Sequence, residues 1–122
     1  MARDLNKAML TGRLSRDPLM RVTPQGHTIT RFVVAVNHTW TTADGQRRDL
    51  VEWAFVVAWN RLGEICAAQL RRGSHVYVEG RFQTRFWTDA QSGQPRSRTE
   101  IIAAEVIALD DEANGEPPEP SP

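Results

Sequence analysis

Strand-like alternation over Val76–Trp87 sets Arg81, Gln83, Arg85 and Trp87 on one face, and Val78, Phe82 and Phe86 on the other. Trp87 therefore projects with the arginines. An indole among guanidinium groups suits an unpaired nucleic-acid strand, because bases stack on the ring while the cations neutralise phosphates. Three more tryptophans, Trp40, Trp53 and Trp59, also lie in strand-like segments. Trp53, Phe55, Val57 and Trp59 share one face of their segment; Ala54, Val56 and Ala58 share the other. A narrow barrel interior takes the small set more easily than four bulky groups. That arrangement leaves an apolar outer face needing a ligand or partner to cover it. The alternation alone leaves the reverse open, with the bulky face as core and the helix over the small one. Trp40 sits at a strand end beside a polar loop, where its ring fits under the loop as readily as against a base.

Around these rings lie Arg31, Arg47, Arg48, Arg81, Arg85, Arg96 and Arg98, the candidates for phosphate contact. Arg47 and Arg48 flank one polar loop, and Arg96 and Arg98 another. Basic loops can close over a backbone without reading its sequence. Any one of these arginines taken alone also fits a solvated surface charge. The formal net charge is zero, from 15 basic and 15 acidic residues, but the charges are segregated. Five of the acids (Asp110, Asp111, Glu112, Glu116 and Glu119) fall beyond residue 109, so the preceding body carries a net +5. That balance permits a polyanionic partner. All the bases but Lys7 are arginine; genome composition can produce this, although arginine also forks onto phosphates and stacks on bases better than lysine.

The sequence offers little for catalysis. His27, His38 and His75 fall on separate segments, and Cys66, the single cysteine, sits on the apolar side of a helix. No metal-ligand cluster, phosphate-cradling glycine loop or nucleophile elbow is present in the sequence. Asp44, Asp49 and Glu52 flank a hairpin loop and lack a third partner. The expectation is a protein that is not an enzyme and needs no cofactor. One cysteine rules out an internal disulfide and fits a reducing cytoplasm, and no apolar run approaches a membrane span, which points to a soluble, intracellular protein.

The elements that must position these residues follow in order. Leu5–Leu14 reads as a strand with Gly12 at a bend; it is interrupted by Asp17–Pro18 and resumes over Leu19–Thr23. Thr28–Trp40 and Leu50–Trp59 are further strands, joined by a polar hairpin loop over Thr41–Asp49. Leu62, Ile65, Cys66, Gln69 and Leu70 then follow helical spacing, with Asn60 placed to cap the start and Gly73 to end it. Val76–Trp87 and Thr99–Leu109 return to alternation around a loop at Thr88–Ser97. Five strands with one short helix between the third and fourth is the order of an all-β oligonucleotide/oligosaccharide-binding barrel, the OB-fold. Residues 1–109 form that domain; Asp110–Pro122 is acidic and Pro-rich, a composition that predicts a disordered tail.

Specific runs strengthen the reading. Asn6–Leu14 followed by Asp17–Pro18, then Glu52–Trp53, Leu70–Gly80, Arg85–Asp89 and Gly93 resemble the bacterial single-stranded DNA-binding protein family across roughly 1–109. The resemblance implies an OB-fold homotetramer that wraps single-stranded DNA during replication, recombination and repair. It implies base stacking by Trp40, Trp53 and Trp87, with Trp59 standing where the family usually has a stacking phenylalanine. It also implies that the 53–59 bulky face points outward. Ala54 replaces a histidine at a family subunit contact, and Phe55 replaces a basic residue of the binding face. Family members end in an acidic tip with a terminal aromatic that docks replication and repair proteins; this chain ends Glu119–Pro120–Ser121–Pro122 without one. A primosome-type OB protein acting as a replication-restart adaptor is the alternative, and the set of four tryptophans argues against it.

Overall fold

The computed structural model of the protein describes residues 3–109. The expected tail lies outside the described residues. The elements are β1 (Ala8–Leu14), β2 (Leu19–Val22), β3 (Thr28–Thr41), β4 (Arg47–Trp59), α1 (Asn60–Gln69), β5 (His75–Thr88) and β6 (Pro95–Ala108). The strands form one sheet in the order β1-β5-β6-β4-β3-β2, closed by an additional β1–β3 pairing. β1 and β2 are the two halves of the first strand expected from sequence. β1 pairs with β5 and reaches β3 at its far end, whereas β2 pairs with β3 alone. The result is a five-stranded barrel whose first strand is broken at the Asp17–Pro18 corner.

Gly12 is required where β1 crosses from β5 to β3: a Cβ there would strike the Ala35 carbonyl and the Val34 side chain. Small and β-branched residues fill the narrow interior, as barrel geometry demands. Leu14, Phe32, Val34, Val56, Ala58, Val76, Val78 and Ile101 form the buried core, joined by Cys66 from α1 and by Leu70 just past its end. Ala54 lies on this inner side, packed against the core. Burial pushes the Cys66 thiol up to about 11. The helix presses close to the barrel wall through Gly63, whose carbonyl accepts a buried 2.8 Å hydrogen bond from Thr30 Oγ1.

Three local expectations change. Asn60 does not cap α1 with its side chain; Trp59 occupies the cap position, and Asn60 takes a left-handed backbone conformation (φ 53°) to turn the chain from strand to helix. The helix ends at Gln69, before Gly73, which instead supplies the positive φ of the following turn. Both hairpins are longer than their polar loops suggested. β3 and β4 stay paired to Thr41↔Arg47, and β5 and β6 to Thr88↔Pro95. Thr42 closes the first loop by accepting from the Gln46 N–H, and Gly45 adopts φ 86°. Arg47, Arg48 and Arg96 are therefore ladder residues.

The long hairpins explain a further difference. Phe82 and Phe86 do alternate with Trp87, but they do not join Val78 in the core. Phe82 is exposed just past Gly80, where β1 stops pairing with β5, and Phe86 is 77% exposed because β5 has by then run past the barrel into a two-stranded arm with β6.

Candidate nucleic-acid interface

Strand pairing assembles one outer face from four strands. Opposite residues in a ladder share a face, so the pairs Val33↔Phe55 and Ala35↔Trp53 continue the β4 aromatic row onto β3. The pairs Gln83↔Glu100, Arg85↔Arg98 and Trp87↔Arg96 build the matching row on β5 and β6. Trp53 is 56% exposed and Trp59 41% exposed, while Val56 and Ala58 between them are sealed in the core. The bulky face is thus outside. Val57 is the exception, buried although it shares that parity.

On this face the cations lie against the rings. The Arg85 guanidinium sits 4.2 Å from the Trp87 ring centroid. Arg98 lies 4.2 Å from the Phe55 centroid and 5.6 Å from that of Trp87, so it spans the gap between β4 and β5. Phe55 thereby carries a cation on its face. A ring with a guanidinium on one side presents its other side or its edge for stacking. Arginine stacks in this way more readily than lysine because its charge is planar and weakly hydrated.

Beneath the arginines lies an acid that sequence reasoning did not single out. Glu100 is buried, its side chain 4% exposed. Its Oε2 accepts from Arg85 Nε at 3.2 Å and meets Arg98 Nη2 at 3.5 Å and Arg31 Nε at 3.7 Å. Three guanidiniums around one carboxylate leave a surplus of two positive charges. Burial lowers the Arg31 pKa; Glu100 opposes that effect, and Arg85 and Arg98 reinforce it.

The remaining candidates are dispersed. Trp40 is 41% exposed but carried on the opposite face of the β3–β4 ribbon, paired with Arg48 and stacked on His38 at 5.4 Å. Arg47 pairs with Asp49 at 3.4 Å, and Arg48 donates to Gln46 Oε1 at 2.9 Å. Arg96 meets Asp89 at 3.2 Å at the tip of the β5–β6 arm, where the Gln91 N–H and Arg96 hold the Asp89 carboxyl below its usual range. Arg81 lines a shallow depression with Asn6, Lys7, Glu79 and Ile102, away from the rings. The structure thus gathers Arg31, Arg85, Arg98, Trp53 and Trp87 on one face with Phe55. Trp59 lies at the end of the β4 row and Arg96 at the arm tip opposite Trp87, while Trp40, Arg47, Arg48 and Arg81 lie at the periphery. Among the described residues there is no group of three potential metal ligands. No helix among them is long and apolar enough to cross a membrane.

A closed OB barrel with an aromatic and arginine-rich outer face defines a single-strand-binding class of protein. The family model described as "Single-strand binding protein family" matches residues 5–109, and the chain belongs to that family. It is similar to Single-stranded DNA-binding protein 1 of Chlorobaculum tepidum, with 39% identity over 109 residues, spanning 89% of this chain and 67% of the relative. In structure it is similar to the chain of a Plasmodium falciparum SSB complex with ssDNA. That match has a TM-score of 0.79 at 30% identity and covers 90% of this chain and 99% of the other.

Proposed function

We propose that this protein binds single-stranded DNA irrespective of sequence and protects it during replication, recombination and repair. The observation that carries the reading is the outward row of Trp53, Phe55 and Trp87, with the Arg85 and Arg98 guanidiniums laid on the rings. Stacking contributes about 1–3 kcal/mol per base and discriminates little, since every base has a π-face. Trp40, Trp53, Trp59 and Trp87 stack bases in this account, and Arg31, Arg47, Arg48, Arg81, Arg85, Arg96 and Arg98 meet phosphates. Because Trp40 faces the other side of its ribbon, a strand touching all four indoles must pass around the ribbon edge. Such a path fits wrapping around the outside better than a straight groove. Family members are binding proteins, so the chain is read as non-enzymatic.

Assembly as a homotetramer accompanies this function. Exposed Met9 and Ile107 flank Tyr77 across adjacent strands, through the pairings Thr11↔Tyr77 and Tyr77↔Ile107, and give an outer apolar patch suited to a second copy. On this reading the protein works in the cytoplasm, on exposed single strands of the nucleoid. Anisotropy of labelled oligo-dT over a salt series tests the binding directly. Affinity should fall with a log–log slope of about −0.7 for each phosphate neutralised. Equal affinity for duplex and single strand would contradict the proposal.

A further inference from the structure

We infer that Glu100 is a positioning residue that fixes Arg31, Arg85 and Arg98 as one cradle for a single backbone phosphate beside Phe55 and Trp87. The inference rests on the single-strand-binding reading above. An acid on a face that must attract a polyanion weakens the attraction unless it does something else. Glu100 has the geometry to do so: it is buried, and all three guanidiniums converge on the same Oε2. The arginine side chains themselves remain about a third exposed, at 35%, 33% and 34%. The carboxylate therefore holds them from below and leaves outward N–H groups available. Without a counter-charge, three cations this close would repel and splay.

Hydrogen bonding supports the same picture. The buried Nε atoms of Arg31 and Arg98 have no hydrogen-bond partner, so neither guanidinium is fully satisfied within the chain. Those Nε atoms are sealed from solvent, so an incoming phosphate oxygen meets the exposed parts of the three guanidiniums instead, and guanidinium–phosphate hydrogen bonds are among the strong ones. Arg98 lies over Phe55 and Arg85 over Trp87, so the phosphate site is set within reach of two stacking rings. Base and phosphate of one nucleotide are then held together.

The test compares Glu100→Gln, Glu100→Asp and wild type in oligo-dT titrations across a salt series, with thermal melts to verify folding. Glu100→Gln makes the face more positive, so simple electrostatics predicts tighter binding. Positioning predicts the reverse: affinity weaker by on the order of tenfold, and a salt slope shallower by about 0.7, one phosphate's share. Glu100→Asp, which keeps the charge, should fall between the two. Unchanged or tighter binding by Glu100→Gln, with an undiminished slope, overturns the inference. If Glu100→Gln fails to fold, Arg31→Gln, Arg98→Gln and their double variant decide. A shared phosphate makes the double loss smaller than the product of the single losses, and full multiplication refutes sharing. A wild-type protein that ignores oligo-dT would instead sink the functional reading itself.

Discussion

Replacing Trp87 by alanine perturbs the interface with little cost to the fold. The ring is 36% exposed and lies on the β5–β6 arm, outside the barrel core. Two effects on binding follow from its surroundings. Loss of one stacked base costs about 1–3 kcal/mol, or roughly 5- to 150-fold in Kd. Arg85, 4.2 Å from the ring centroid, also loses its support, so the salt slope should shrink by up to about 0.7. The fold loses the cation–π contacts of Arg85 and Arg98 with the ring, each worth about 0.5–1 kcal/mol at an exposed site. Oligo-dT anisotropy at several salt concentrations, with a denaturant melt of the same sample, separates the effects. Trp87→Phe should recover part of the affinity because it keeps a π-face. Wild-type affinity in Trp87→Ala, or a loss of affinity matched by unfolding, would refute the reasoning.

Other outcomes follow from the packing and the titrations. Gly63→Ala places a Cβ 2.5 Å from the Ala58 carbonyl and 2.9 Å from Thr30 Oγ1; overpacking of this kind should cost about 1–3 kcal/mol by urea unfolding. Tyr77, the single tyrosine, donates to Glu79 Oε1 at 2.6 Å, and this bond pushes its phenol up to about 12. A folded value above the unfolded one gives stability that is present below the unfolded value and is lost as pH rises through the folded one. Tyrosinate absorbance should therefore titrate late in wild type and earlier in Glu79→Gln. Cys66 should resist alkylation at pH 8 until the protein unfolds, since its buried thiol is pushed up to about 11.

The barrel was legible in the sequence because period-2 alternation sorts residues onto the two sides of each strand. Ala54, Val56 and Ala58 are small because they face a narrow interior; alternation separates them from their bulky neighbours but leaves open which set is inside, and burial in the structure decides it. Alternation says nothing about where a barrel stops. Phe82 and Phe86 keep strand parity with Val78, yet exposure depends on whether another strand or helix lies over them. Arg47, Arg48 and Arg96 were read as loop residues for a related cause: polar residues suit a solvated two-stranded arm as well as a turn. Asn60 carried a misleading signal, since asparagine favours both helix caps and left-handed backbone. Glu100 was missed because a glutamate amid alternation looks like a solvated face. Its parity with Arg96 and Arg98 was the available clue, and only pairing with β5 and β4 shows that arginines surround it.

Intrinsic tryptophan emission during titration with oligo-dT at low salt tests the central claim most directly. Indoles that lie flat against bases are quenched, so emission should fall steeply to a saturating plateau and recover as salt releases the strand. Emission that stays constant at oligonucleotide concentrations where anisotropy shows full binding would contradict the account, because the rings would then be bystanders.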